Sequence, residues 1–124
     1  MKCPLSLLAT AFLSFTAVSC PIILAEKTTV YAQETKLDST KAYLKRGLSY
    51  AKQGKHELAI ADFNQAVRIN PRDSRTFYNR GIFYSEQGNY KLARTDLEKA
   101  KQISLIQGDI ANVERADSAL KQLP

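Results

Sequence analysis

Between residues 43 and 69 the apolar positions recur in steps of three and four. Tyr43, Leu44, Leu48, Tyr50 and Ala51 form one stripe, and Leu58, Ala59, Phe63, Ala66, Val67 and Ile69 form a second. That period places apolar side chains along one side of an α-helix, so the pattern predicts two amphipathic helices. Gly54 separates them, where a helix end calls for a residue that takes positive φ without strain, and Gly88 stands in the corresponding place further on. Pro71 ends the second helix, and Asp73 or Ser74 supplies a cap for a third. After Gly108, Asp109 is an N-cap candidate, and Ile110, Val113, Ala116, Leu120 and Leu123 lie along one side of a last helix. The expectation is an all-α chain with five helices between about Leu37 and Leu123.

The pattern returns after 34 residues. Aligning 40–73 with 74–107 gives ten identities, among them Arg46/Arg80, Gly47/Gly81, Tyr50/Tyr84, Ala59/Ala93, Asp62/Asp96 and Ala66/Ala100. Composition alone gives about two. A fixed period of this size signals stacked structural repeats, whose function lies in the surface the stack presents. Small residues at Gly47, Ala59 and Ala66, and at Gly81, Ala93 and Ala100, let paired helices approach, with aromatic side chains filling the space between them.

These residues resemble the tetratricopeptide repeat, a helix-turn-helix unit of 34 residues. Tyr43, Gly47, Tyr50, Gly54, Ala59, Phe63, Ala66 and Pro71 stand at the family's signature positions in the first unit. Phe77, Gly81, Tyr84, Gly88, Ala93, Leu97 and Ala100 stand there in the second, which has Leu105 in place of the proline. The resemblance implies an α-solenoid of repeat one (40–73), repeat two (74–107) and a capping helix (109–123), within a domain of 39–124. It also implies a concave groove lined by the first helix of each repeat. The groove positions are Lys41, Leu44, Lys45 and Leu48, then Arg75, Tyr78, Asn79 and Ile82, giving an apolar floor and a basic edge. That composition suits a peptide or protein segment with an apolar anchor and an acidic or C-terminal carboxylate group. Family members that clamp chaperone C-termini carry Lys and Asn where Leu44 and Leu48 stand here, which disfavours that specific role although Asn79 matches one clamp position.

One charged pattern is duplicated. Arg46 and Asp62, like Arg80 and Asp96, are 16 residues apart, with the arginine on a first helix and the aspartate on a second. The arrangement is similar to the repeats with N-R-G and A-x-x-D signatures in bacterial proteins. Ion pairs within each repeat satisfy the spacing, and so does a pair between Asp62 and Arg80 of the next.

Residues 1–32 follow different rules. Lys2 gives a positive start, and the stretch from Leu5 to Ala25 contains no charge, which reads as a signal peptide or membrane anchor. Cleavage after Ala25 or after Ala32 fits this segment, and its apolar run also suffices to span a bilayer of about 30 Å if retained. Cys20 sits in a poor version of a lipoprotein box, a third route to membrane attachment. Residues 33–38 then act as a linker. The expected location is exported: periplasmic, lumenal or membrane-associated. Both cysteines, Cys3 and Cys20, fall in the leader, so the repeat domain has no disulfide.

The net charge of +6 is compatible with acidic peptides or an anionic lipid surface, while export argues against a nucleic-acid partner. Enzyme chemistry finds few components. His56 is the only histidine, and its repeat position is taken by Tyr90 in the second copy, which points to a packed ring rather than a base. No nucleophile elbow, phosphate-binding glycine loop or metal-ligand spacing occurs, and no cofactor or metal is expected. The functional expectation is a non-catalytic adaptor binding a protein segment in its groove. Its alternatives are a self-associating component of an envelope assembly and a basic peripheral factor at a membrane surface.

Overall fold

A computed structural model describes residues 29–124 of the chain, which divides into two compact units, 1–35 and 36–124. Of the first unit only 29–35 are described, and they are helical. Most of the expected leader, with the cleavage site after Ala25 and the lipid-attachment candidate Cys20, lies outside the described residues. Residues 33–38, expected as a linker, are helical. Among the described residues no helix is long and apolar enough to cross a membrane.

The second unit is built from helices alone: α1 (36–52), α2 (His56–Ile69), α3 (Ser74–Glu86), α4 (Tyr90–Gln107) and α5 (Ile110–Gln122). It is an all-α solenoid of two helix-turn-helix units closed by a further helix. Gly54, Gly88 and Gly108 all adopt left-handed backbone, with φ of 71°, 75° and 73°. At each, the next amide reaches back across the turn: Lys55 to the Tyr50 carbonyl, Asn89 to Tyr84 and Asp109 to Ser104, at 2.8–3.0 Å. These bonds satisfy carbonyls left open at the helix ends, and a side chain at these φ values is strained.

Pro71 and Leu105 give the two repeats different exits. The ring of Pro71 crowds the preceding residue, and Asn70 is extended at φ −134°, ψ 89°, so α2 stops after 14 residues. Leu105 imposes no such limit. Helix α4 runs to 18 residues, one turn beyond the point where α2 ends. Asp73 stands at the start of α3, but its side chain does not cap the helix backbone. It accepts instead from the Thr76 hydroxyl at 2.6 Å and from Arg75 Nε at 3.1 Å. Asp109 does cap α5, accepting from the Asn112 amide at 3.2 Å.

Two apolar clusters hold the stack. In the first, Ala59 and Phe63 of α2 meet Phe83 of α3, with Leu44, Tyr50, Ala51 and Ile60 around them. Phe63 and Phe83 make an edge-to-face contact at 5.8 Å, a favoured aromatic geometry. Phe83 thereby ties the second repeat to the first. The second cluster joins Phe77, Ala100 and Ile103, flanked by Val67 and Tyr78. A methyl at Gly47 would stand 2.8 Å from the Phe63 ring, and one at Gly81 would stand 2.9 Å from Leu97, so helix pairing in each repeat depends on a missing side chain. Ala116 and Ala119 carry the buried face of α5, whereas Ile110, expected on that face, is exposed in the first turn.

Candidate functional site

Helices α1, α3 and α5 line two adjoining depressions that share Ile82. The first, about 220 Å³, is walled by Leu48, Ala51 and Lys52 of α1, Asn79, Ile82, Phe83 and Glu86 of α3, and Phe63 of α2. The second, about 430 Å³, lies between Tyr78 and Ile82 of α3 and Ala111, Glu114, Arg115, Ser118, Ala119 and Gln122 of α5. Helical period explains the arrangement: Tyr78 and Ile82 are four residues apart and therefore on one face of α3. Each depression has an apolar floor with charged side chains present, Lys52 and Glu86 in one and Glu114 and Arg115 in the other.

The structure brings together only part of the expected groove. Leu48, Tyr78, Asn79 and Ile82 line it. Leu44 is half-buried and packs against the first apolar cluster, so it supports the floor from below. Tyr78 does both, packing on the Phe77 cluster and facing the second depression. Lys41 and Lys45 are exposed and line neither depression, and Arg75 is held by Asp73. The α5 wall went unrecognised in sequence because the apolar stripe of that helix reads as an end cap; its position next to α3 gives it the second role.

The duplicated charges pair within each repeat. Arg46 Nε and Nη2 donate to both Asp62 carboxylate oxygens at 2.7 and 2.8 Å, and Arg80 binds Asp96 with the same two distances. Such two-point contacts match the planar guanidinium fork to the carboxylate. Arg80 is also covered by the Phe77 and Tyr84 rings, at 5.5 and 6.0 Å, and its Nη1 donates to Asn64 of the first repeat at 2.7 Å. Asn64 was not foreseen because the second copy has Glu98 there. Donating to Asp96 raises the Arg80 pKa, opposed by burial and assisted by the carboxylate charge. The hydrogen bond and charge of Asp62 raise that of Arg46. Both arginines are thus fixed as cations that hold helix pairs together.

His56 is exposed and leans against Phe83 with ring centres 5.6 Å apart and planes tilted by 46°, a packing contact at the lip of the first cluster. Among the described residues no group of three or more His, Cys, Asp or Glu side chains is placed to hold a metal ion.

Two family profiles, each described as a tetratricopeptide repeat, match the chain, one over residues 40–73 and the other over 63–95. The second match begins inside α2 and ends inside α4, so it spans the junction between the repeats. A search of curated proteins finds none that matches.

Proposed function

The chain is a tetratricopeptide-repeat protein with two repeats, and on that premise we propose that it is an adaptor holding a segment of another protein in the groove of α1, α3 and α5. Repeats of this kind serve protein–protein interaction in general, through the surface that stacking creates. The observation supporting a specific site is the pair of depressions meeting at Ile82. Neighbouring helices pack about 8–10 Å apart, so a bound segment crossing α3 sets apolar side chains at about that spacing on either side of Ile82. Lys41 and Lys45 stand outside the floor and favour a segment with acidic residues or a free carboxylate. The leader composition supports an exported setting for this encounter.

A photo-crosslinking residue in place of Ile82 tests the site. The expected product is an adduct with another polypeptide, absent when the same residue replaces Tyr90, which starts α4 and lines neither depression. Loss of the Ile82 adduct, or an adduct of two copies of this chain, would replace the adaptor reading with self-association.

A further inference from the structure

The exits of the two repeats form a second surface that the groove does not use. Gln107 Nε2 donates to the Arg72 carbonyl at 2.8 Å, tying the α4–α5 turn to the α2–α3 loop. On that turn Leu105 is 54%, Ile106 80% and Ile110 60% exposed. Leu105 and Ile106 stand out because α4 continues one turn past the point where Pro71 stops its counterpart, and Ile110 because it opens the first turn of α5. None of the three lines the groove. Three large aliphatic side chains within six residues are a concentration that marks an interaction surface.

The charges beside this patch are cationic. Arg68 and Arg72 are exposed, and neither has a carboxylate partner among the described residues. The acids of the two loops are engaged: buried Asp73 holds Thr76 and Arg75, and half-buried Asp109 holds Asn112. The mobile charge left for a partner is therefore positive.

We propose that this end of the stack docks on an anionic lipid bilayer, with Leu105, Ile106 and Ile110 entering the boundary between headgroups and acyl chains. Arg68 and Arg72 meet lipid phosphates. A side chain as exposed as Ile106 sheds its water in a medium that closes around it, and flanking arginines select a phosphate-bearing one. The groove faces α1, α3 and α5 and stays open to a protein partner.

The sequence has no tryptophan, so Ile106→Trp in the full chain is a single reporter. It is mixed with vesicles of phosphatidylcholine containing about 30% phosphatidylglycerol, and with phosphatidylcholine alone. Its emission should shift to the blue on the anionic vesicles and far less on the neutral ones. Tyr90→Trp, about 24 Å away along α4, should not shift. Ile106→Glu, and separately Arg68→Glu with Arg72→Glu, should each lower co-sedimentation with anionic vesicles on the order of tenfold while helix content is retained. An unshifted Ile106→Trp spectrum overturns the proposal, even when the chain reaches the vesicles through its leader. So does an Ile106→Glu chain that binds vesicles normally but loses a dimer in sedimentation equilibrium, which would make the patch an interface between copies. If Ile106→Glu fails to fold, the Ile106→Trp spectrum alone decides.

Discussion

Arg80 reaches two repeats at once: Nε and Nη2 hold Asp96 of its own unit while Nη1 donates to Asn64 of the preceding one at 2.7 Å. Arg46, its counterpart, holds Asp62 alone. The side chain of Arg46 is 57% exposed and that of Arg80 is 15% exposed. Identical residues at identical repeat positions therefore carry different duties, one closing a repeat and the other also joining two.

Removing them should have unequal consequences. Arg80→Ala leaves the buried Asp96 carboxylate without its cation, at a cost of about 3–5 kcal/mol, and also removes the bond to exposed Asn64. Arg46→Ala should cost less, because the departing side chain is solvent-screened and water can replace it beside Asp62. Urea denaturation followed by circular dichroism measures the difference, and equal losses would deny the inter-repeat bond any share. Both arginine pKa values are raised, so their contribution is complete below the ordinary arginine range and is lost only as pH rises above it. The gap between wild type and Arg80→Ala should accordingly stay constant from neutral pH to about 10.

Gly81→Leu should unfold the domain or lower its melting temperature sharply. Even a methyl there meets Leu97 Cγ at 2.9 Å and the Ala93 carbonyl at 3.2 Å. Overpacking of this kind costs about 1–3 kcal/mol, more where backbone blocks relief. Ala93→Phe, at a fully buried site, should act in the same direction. A melt unchanged by either would contradict the α3–α4 pairing.

Ser104 offers a substitution in the opposite sense. Its hydroxyl is buried and has no hydrogen-bond partner among the described residues. An unsatisfied buried polar group costs about 1–3 kcal/mol, so Ser104→Ala should leave stability unchanged or raise it by about 1 kcal/mol. Chemical denaturation of the pair of proteins checks the sign.

Charge at the groove edge should separate rate from stability. Lys45→Glu alters an exposed cation without a carboxylate partner among the described residues, and should slow association with an acidic segment, most strongly at low salt, while leaving the melt unchanged. Arg75→Glu should lower the melting temperature, because it sets a second carboxylate against buried Asp73. Stopped-flow binding of the partner identified at Ile82, together with melts, tests both; a stable Arg75→Glu domain would show that the Asp73 contact is dispensable.

The helices and their turns were legible because a 3.6-residue period, glycine at three of the reversals and Pro71 at the fourth leave few alternatives. The ion pairs were half legible: duplication marked Arg46, Asp62, Arg80 and Asp96, but two pairings met the spacing and only the packing of antiparallel helices selected one. Phe83 escaped because its counterpart is Ser49, so comparing the copies hid a residue that belongs to the first repeat's core. Leu44 and Tyr78 occupy the same repeat position, yet one supports the floor and the other forms it. That difference depends on which helix follows, which no local pattern records. Ile110 kept the apolar period of α5 while lying too near its start to be covered.

Helix α5 closes the stack and also forms one wall of the second depression, so endurance and recognition are not separable modules in this chain. A conventional route to a sturdier solenoid is to splice in another repeat ahead of the terminal helix. Here that graft would exchange Ala111, Glu114, Arg115, Ser118 and Gln122 for the surface of a new first helix. The lengthened protein would gain cohesion and arrive with a different binding preference, which limits how freely this architecture can grow without changing what it holds.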